Sequence, residues 1–220
     1  QNSVTNFIFM KKIASTLITL ITLIALSGIS FADHHGKSLF NGKDLTGWQD
    51  RDGKTSKWEV VNGTLQGQKK TGDIWSKERF GDFVLSLEFK TTGNSGIFFR
   101  TDNPKSPVQT GIEIQVEKPN GPTKHSVGAI YDLVAPKKNN ATTDWNKVKI
   151  TAKDNMITVE MNGEVINGMD LNKWTKPNKN PDGSKNKYKT ALKDFKREGH
   201  IGFQDHGHLV SYRNIKIKKL

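Results

Sequence analysis

Residues 112–117 read Ile-Glu-Ile-Gln-Val-Glu, an unbroken alternation of apolar and polar side chains. Successive side chains of a β-strand point to opposite faces, so this pattern predicts a strand that is buried on one face only. The polar residues would then share one surface, which is either an ordinary solvent-facing sheet or a concave face lined for a sugar. These residues are Glu113, Gln115 and Glu117.

Further strands are predicted on both sides of this one. The segments that repeat the alternation are 83–90, 148–151, 157–161 and 215–218. Two segments are more uniformly apolar and are interpreted as central strands, 97–99 and 127–133.

Turn signals separate these strands, and no stretch shows a sustained helical period. Asn162-Gly163, which lies between Met161 and Glu164, is a strong signal for a two-residue hairpin. Several short strands joined by such turns predict an all-β fold, an antiparallel sandwich or jelly roll with a single domain over residues 33–220.

The composition excludes several classes of function. The 220 residues contain no Cys, which rules out disulfides, thiolate metal sites and Cys nucleophiles. The formal net charge of +12 could signal a nucleic-acid partner. However, much of it lies in 171–198, where eight Lys and one Arg are diluted by Asn, Pro and Gly. We interpret this segment as a long, solvated basic loop and expect no nucleic-acid partner.

The N-terminal residues follow the pattern of a signal peptide. Met10 is followed by two Lys, then by an uncharged, largely apolar stretch over 13–28, and then by Ser30-Phe31-Ala32 with small residues at the cleavage positions. We therefore expect a signal peptide over 10–32, preceded by an upstream fragment over 1–9. The mature chain would be exported, either periplasmic or secreted. Without Cys, we expect no lipoprotein anchor in the membrane.

Three further groups of residues are candidates for chemistry. His200, His206 and His208 lie within nine residues, and on a strand His200 and His206 would share a face with Gln204. Neutral imidazole can act as a base or a metal ligand, although histidines at a strand end are also common on surfaces. Arg100 either marks a strand leaving the core or clamps a ligand. Tyr131, beside Asp132, either packs or takes part in chemistry.

Several catalytic motifs are absent from the sequence. It contains no Gly-x-Ser-x-Gly elbow, no His-Glu-x-x-His and no phosphate-binding loop ending in Gly-Lys-Ser/Thr. The serine hydrolase, zincin and nucleoside-triphosphatase classes therefore lose their main support.

The chain resembles the 3-keto-disaccharide hydrolase domain family, formerly a domain of unknown function, from Ser38 to Leu220. The matching motifs occur in the family's order. They are 39–48 (Leu-Phe-Asn-Gly-Lys-Asp-Leu-Thr-Gly-Trp), 94–100 (Asn-Ser-Gly-Ile-Phe-Phe-Arg), 111–116, 128–131 (Gly-Ala-Ile-Tyr), Trp145-Asn146, Asn162-Gly163, 199–207 and 212–217. Tyr212 stands where the family more often has Phe.

The resemblance implies a concanavalin A-like jelly roll and the cleavage of glycosides oxidised to a ketone at C3 of the sugar. Such a ketone acidifies the proton on C2, so a base can remove it and the substituent on C1 leaves by β-elimination. Water then adds, and the net reaction is hydrolysis. We expect a separate sugar 3-oxidoreductase to supply the ketone.

The resemblance also implies a set of site residues. His206 would be the base or acid, Glu113 a second acid/base group, and Tyr131 a donor to the leaving oxygen. A divalent metal at the ketone oxygen is an open option, with Glu113 and His206 as its ligands. The residues expected to bind the sugar are Arg100, Gln115 and Gln204, with His125 and Asp132 as further candidates.

Three alternatives remain open at this point. One is a carbohydrate-binding module or lectin without activity, for which the five Trp would be suited. Another is a retaining β-glucanase of jelly-roll type, which resembles Glu-x-Asp-x-Glu on one strand, whereas here Gln115 replaces the middle Asp. The third is an inactive family member kept as an interaction domain.

Overall fold

A computed structural model of the protein describes residues 36–220. The predicted signal peptide over 10–32 and the fragment over 1–9 lie outside the described residues. Among the helices of the described part, none is long and apolar enough to cross a membrane.

Thirteen strands form the described part of the chain, together with one short helix and two 3-10 turns. The strands are β1 (Lys37–Ser38), β2 (Trp48–Gln49), β3 (Glu59–Val61), β4 (Thr64–Gly67), β5 (Ile74–Phe80), β6 (Phe83–Thr91), β7 (Ser95–Thr101), β8 (Ile112–Val116), β9 (Asn146–Lys153), β10 (Met156–Met161), β11 (Glu164–Asp170), β12 (Gly199–Phe203) and β13 (Val210–Lys219). The helix α1 covers Pro107–Thr110, and the 3-10 turns cover Leu171–Lys173 and Leu192–Asp194.

These strands form two antiparallel sheets. The larger sheet has eight strands in the order β11-β10-β9-β6-β13-β4-β3, with β1 also paired to β13. The smaller sheet has the order β2-β5-β12-β7-β8. The prediction of an all-β antiparallel sandwich is confirmed, and the strands predicted from alternation all occur.

The core lies between the sheets, because alternate residues of each strand point inward. In β6 the inward residues Leu85, Leu87 and Phe89 are buried, and the residues between them are partly exposed. Phe203 of the smaller sheet stacks on Tyr212 of the larger one at 4.1 Å between ring centroids. Aromatic stacking across the two layers therefore joins the sheets.

The predicted Asn162-Gly163 hairpin is also confirmed. Met161 of β10 pairs with Glu164 of β11, and the two residues between them have φ angles of 49° and 86°. Two successive positive φ angles are those of the type I′ turn, which Asn-Gly favours.

The prediction of a central strand over 127–133 is wrong. This apolar segment forms turns, with positive φ angles at Gly128 and Asp132 that break an extended conformation. It nevertheless lies along β8, because the Gly128 amide donates to the Gln115 carbonyl and the Tyr131 amide to the Glu113 carbonyl, both at 2.9 Å. Burial alone could not distinguish a buried turn from a strand.

The basic segment 171–198 is more than a solvated loop, which corrects that interpretation. Its apolar side chains are buried in the core cluster of the sandwich, while most of its lysines are exposed. The buried residues are Leu171, Trp174, Tyr188, Leu192 and Phe195. The segment is therefore fixed on the sandwich, and its position can place individual lysines.

Candidate active site

Two rows of side chains cross the face of the smaller sheet that points away from the core, which we call the outer face. Strand register aligns the first row across β5, β12, β7 and β8, and it consists of Trp75, Gly202, Phe98 and Glu113. The second row lies beside it and consists of Gln204, Gly96 and Gln115. The neighbours of these residues along each strand, such as Ile114 and Phe203, point into the core.

Glycine makes room for the large side chains of the outer face. A Cβ atom at Gly202 would overlap the indole ring of Trp75, and a Cβ atom at Gly96 would overlap the carboxyl group of Glu113. Trp75 also packs on Phe98 at 5.5 Å between ring centroids. The two glycines thus let the Trp75 ring lie across β12 and the Glu113 carboxyl group lie across the neighbouring strand β7.

Glu113, on the edge strand β8, is a buried ionisable group of this face. Its side chain is only 2% exposed. Burial raises its pKa to about 8, and the charge of Asp73 adds to this effect while that of Lys187 opposes it. Near neutral pH the carboxyl group can therefore both take up and release a proton, as an acid/base catalyst must.

Asp73 lies at the start of β5, where it meets the chain that leaves β12. Its carboxylate accepts the Asp205 amide at 2.9 Å, and the Gly72 amide donates to Asp205 at 2.9 Å. Burial raises the pKa of Asp73, and the bond from the Asp205 amide offsets this only in part. Both carboxylates line a cavity of about 440 Å³. Asp73 and Asp205 therefore form a second acidic group, which lies beside the outer face and lines this cavity.

His206 is exposed and follows Asp205 directly. The amide of Asp205 bonds to the Asp73 carboxylate, so the next residue, His206, lies near that carboxylate. The structure thus places His206 at the Asp73 end of the site and not beside Glu113 on the buried face.

Tyr131 and Lys187 form the opposite border of the site. The Lys187 ammonium donates to the Tyr131 hydroxyl and lies 4.4 Å from the centroid of its ring. Burial lowers the pKa of Lys187, but the bond to Tyr131 and the nearby Asp132 and Glu113 outweigh it and raise the pKa overall. Lys187 is therefore positively charged and lies at the border of the site, near the Glu113 carboxyl group.

Backbone contacts fix Lys187 in place. Its amide donates to the Asp132 carboxylate at 2.8 Å, and its carbonyl accepts the Gln109 side chain at 2.9 Å. The Lys189 amide donates to the same Gln109 side chain at 3.0 Å. These bonds fix the backbone on both sides of Lys187, and the bond to Tyr131 holds its ammonium group.

Polar atoms on the outer face lack partners within the described residues. Three buried atoms form no hydrogen bond there: Trp75 Nε1, Glu113 Oε2 and Gln204 Oε1. Buried polar groups are nearly always hydrogen-bonded, so a cluster of unsatisfied ones on one surface indicates a site for a hydrogen-bonding ligand. One donor and two oxygen positions suit the hydroxyl groups of a sugar.

The structure brings together part of the predicted site. Glu113, Gln115 and Gln204 share the outer face, while Tyr131 and His206 lie at two of its borders. Gln115 is 1% exposed, and its amide is close to two backbone carbonyls at 3.4 Å. The third polar residue of that strand pattern, Glu117, lies beyond β8 and is half-buried.

Arg100 is used by the fold. Its guanidinium donates to the carbonyls of Gly81 and Asp154 at 2.9 and 2.8 Å and to the Asp82 carboxylate at 2.6 Å. The side chain is 1% exposed. Because its donors are directed at these three acceptors, Arg100 ties the β5–β6 connection and the β9–β10 turn to β7 and is not presented to a sugar.

His125 and Asp132 support the Tyr131 border. His125 Nε2 lies 3.0 Å from Asp132 Oδ1, and its ring meets Tyr131 edge-on at 5.2 Å between centroids. Since the other oxygen of Asp132 accepts the Lys187 amide, this carboxylate mainly holds the border together.

Sequence reasoning missed Trp75, Asp73 and Lys187. Ile74-Trp75 reads as a continuous apolar run, so alternation gives no sign that Trp75 faces away from the core. At Asp73, the only feature visible in the sequence is that an acidic residue directly precedes this apolar run. Lys187 is one of eight lysines in a single segment, and only the contacts with Gln109 and Asp132 distinguish it.

A metal site is not evident among residues 36–220. No group of three or more His, Asp or Glu side chains is placed there to hold a metal ion. Glu113 and His206, the ligands considered from sequence, lie at different parts of the site.

Comparison with known proteins identifies the family. The family of 3-keto-alpha-glucoside-1,2-lyase-like domains matches residues 35–218. The chain belongs to this family. Its relatives among curated proteins include the 3-keto-disaccharide hydrolase of Bacteroides thetaiotaomicron, with 26% identity over 83% of this chain and 78% of the relative.

Solved structures agree with membership of the 3-keto-alpha-glucoside-1,2-lyase-like family. A crystal structure described as a candidate glycosyl hydrolase from Parabacteroides distasonis shares 32% identity, with a TM-score of 0.75 over 84% of this chain and 98% of that one. A carbohydrate-binding module of Bacillus subtilis shares 15% identity, with a TM-score of 0.52 over 80% and 98%. The second likeness shows a common jelly-roll fold only.

Proposed function

We propose that this protein cleaves glycosides that carry a ketone at C3 of the sugar, with Glu113 as the group that moves the proton on C2. The observation that carries this proposal is the buried Glu113 carboxyl, whose free oxygen lies on the outer face and whose pKa is raised to about 8. Family membership and the name of the Bacteroides relative supply the substrate class.

The reaction needs one base rather than the two carboxylates of an ordinary glycosidase. Glu113 in its ionised form takes the proton from C2, and the electrons of that bond move to form an enolate with the C3 ketone. The C1–O bond then breaks as the C1–C2 double bond forms, and the departing oxygen receives a proton. Addition of water returns hydrogen to C2 and places a hydroxyl on C1, so the net reaction is hydrolysis.

Lys187 and Tyr131 are suited to hold the ketone oxygen. Negative charge develops on that oxygen when the C2 proton leaves, and a fixed cation or hydroxyl donor stabilises it. The Lys187 ammonium lies close enough to Glu113 to alter its pKa, and it already bonds to the Tyr131 hydroxyl. The pair can therefore serve as the electrophile that the elimination requires.

The remaining residues bind and orient the sugar. Trp75 Nε1 and Gln204 Oε1 are a free donor and a free acceptor on the same face as Glu113, with Gln115 beside them. His206, next to Asp73, is placed to protonate the departing oxygen or to activate water. This proposal moves the base role from His206, where sequence resemblance put it, to Glu113.

Turnover of a purified 3-keto-glucoside tests the proposal directly. We expect the wild-type protein to release the alcohol and the sugar, and Glu113→Gln to reduce the rate at least about 100-fold, because the amide cannot take up a proton. Glu117→Gln is the matched control on the same segment and should retain the wild-type rate.

Two results would overturn this function. Wild-type rates in Glu113→Gln would remove Glu113 from the mechanism, while binding of the ketone without turnover would favour a lectin. Hydrolysis of an unoxidised glucan would instead revive the β-glucanase alternative. Parallel assays with a chelator would reveal any dependence on a metal.

We further propose that the protein acts outside the cytoplasm, after a separate sugar 3-oxidoreductase has made the ketone. The signal-peptide pattern over 10–32 supports export, and the proposed steps consume no nicotinamide or nucleotide. Fractionation of cells that produce the full chain tests this, since a protein retained with its leader in the cytoplasm would contradict it.

A further inference from the structure

Trp145 is the one Trp of the five that is not buried. The other four are 0–7% exposed: Trp48, Trp58 and Trp174 pack in the core, and Trp75 lies on the outer face. Trp145 is half-buried and directly precedes β9, a strand of the larger sheet. It therefore lies away from the outer face that carries Glu113. The proposed glycosidase function gives this residue no role.

The indole of Trp145 is held rigidly. Asn146 accepts the Thr142 amide at 2.7 Å and donates to the carbonyls of Thr142 and Asp144 at 2.9 Å each, which fixes the loop. The Arg213 guanidinium lies 3.9 Å from the centroid of the Trp145 ring and bonds to Glu88 at 2.8 Å. A ring fixed in this way loses little entropy when a ligand stacks on it.

A cavity of about 400 Å³ adjoins this ring, on the side of the larger sheet that points away from the core. Its wall is rich in hydroxyl and amide side chains, which include Asn62, Thr64, Gln66, Thr143 and Ser211. Strand register places Gln66 opposite Ser211 and Ser211 opposite Lys90, so these side chains form one row beside Trp145.

The charges around this cavity are paired. Lys90 bonds to Asp144 at 2.8 Å, and Arg213 bonds to Glu88. A phosphate or carboxylate ligand would have to compete with these carboxylates, whereas a neutral ligand would not. Hydroxyl and amide groups beside a flat aromatic ring suit the alternating polar and apolar surfaces of a sugar.

We propose that this cavity, together with Trp145, is a second carbohydrate-binding site for neutral oligosaccharides, separate from the site that contains Glu113. A sugar ring would stack on the indole, and its hydroxyls would bond to Thr143, Ser211 and Gln66. The two sites lie on different sheets, so the second site can hold a glycan while the first acts on another sugar.

Titration of ¹⁵N-labelled protein with maltohexaose, cellohexaose and laminarihexaose tests this proposal. The five Trp should give five indole resonances, and Trp145→Ala would assign the one that belongs to Trp145. We expect at least one oligosaccharide to shift that resonance and to bind at least about tenfold more weakly to Trp145→Ala. Thr143→Ala, which removes one exposed hydroxyl, should weaken binding to a smaller extent.

The proposed activity and the proposed second site can be disproved separately by these variants. Glu113→Gln should keep the binding of the oligosaccharide, and Trp145→Ala should keep the turnover of a small 3-keto-glucoside within about twofold. No shift of the Trp145 resonance with any of the three sugars, or wild-type affinity in Trp145→Ala, would overturn the second site and leave the proposed activity untouched.

Discussion

The carboxyl group of Glu113 on β8 lies over Gly96 on β7, in the space that a Cβ atom at Gly96 would occupy. Gly96 pairs with Gln115, so the Glu113 side chain leans along its own strand and across its neighbour. This placement directs the carboxyl group toward Gln204, whose backbone N–H donates to the Gly96 carbonyl at 3.0 Å. The position of the acid therefore depends on the absence of a side chain at Gly96.

Gly96→Ala is expected to reduce turnover about 100-fold while the protein stays folded, because the new methyl group displaces the Glu113 carboxyl from its position. Turnover of a 3-keto-glucoside and the thermal midpoint should be measured together. Gly121→Ala is the control, since a Cβ atom there meets nothing within 4 Å. A fully active Gly96→Ala would show that the position of this carboxyl does not matter.

The raised pKa of Glu113 predicts a specific dependence of stability on pH. The folded protein holds a proton on Glu113 up to about pH 8, whereas the unfolded chain releases it near 4.5. The stability that this group contributes is therefore complete below pH 4.5 and is lost as the pH rises through 8, by roughly 5 kcal/mol.

Urea unfolding of wild type and Glu113→Gln between pH 4 and 9 measures this effect. The amide does not titrate, so we expect the difference in unfolding free energy to shift in favour of Glu113→Gln as the pH rises, and to level off above 8. A constant difference across this range would mean that the pKa of Glu113 is not raised in the folded protein.

Alternation predicted the strands and the faces of their side chains, because the two-residue period is a local property of an extended chain. It correctly placed Glu113 and Gln115 on one surface of β8. It could not show that this surface is buried, since local sequence does not reveal what lies against a sheet. The raised pKa of Glu113 depends on that burial and on Asp73, which is 40 residues earlier in the chain.

Contacts between distant residues explain the remaining differences. The charge that closes an apolar strand at Arg100 fits either a strand that leaves the core or a ligand clamp, and the family resemblance implies the clamp. Its three acceptors, however, come from two connections that are distant in sequence. In sequence, Lys187 is no different from the other lysines of segment 171–198. Only its contacts with Gln109 and Asp132, which come from distant parts of the chain, single it out. The order of the motifs along the sequence was enough to identify the family. The hydrogen-bond partners of each residue could be known only from the structure.

Lys187→Met is expected to lower turnover about 100-fold, because it removes the cation proposed to stabilise the charge on the ketone oxygen. The thioether keeps a similar length, and the backbone bonds to Gln109 and Asp132 do not depend on the side chain. Lys185→Met, on an exposed position of the same segment, should remain active.

A positioning role for Lys187 would give a different result. If the ammonium only held Tyr131 in place, Tyr131→Phe would match the loss in Lys187→Met, and Lys187→Arg would restore the rate in full. If Lys187 contacts the substrate, Lys187→Arg should recover only part of the rate, since a planar guanidinium does not replace a compact ammonium.

Arg100→Met is expected to act on stability and not on chemistry. It leaves the Asp82 carboxylate and the carbonyls of Gly81 and Asp154 without their donor, which should cost about 3 kcal/mol in unfolding free energy. Arg79→Met is the control, because Arg79 pairs with Asp102 at a more exposed position and should cost less than about 1 kcal/mol. Below its lowered thermal midpoint, Arg100→Met should retain its KM for a 3-keto-glucoside. A large rise in KM at unchanged stability would instead place Arg100 in contact with the sugar, as the resemblance to the family first implied.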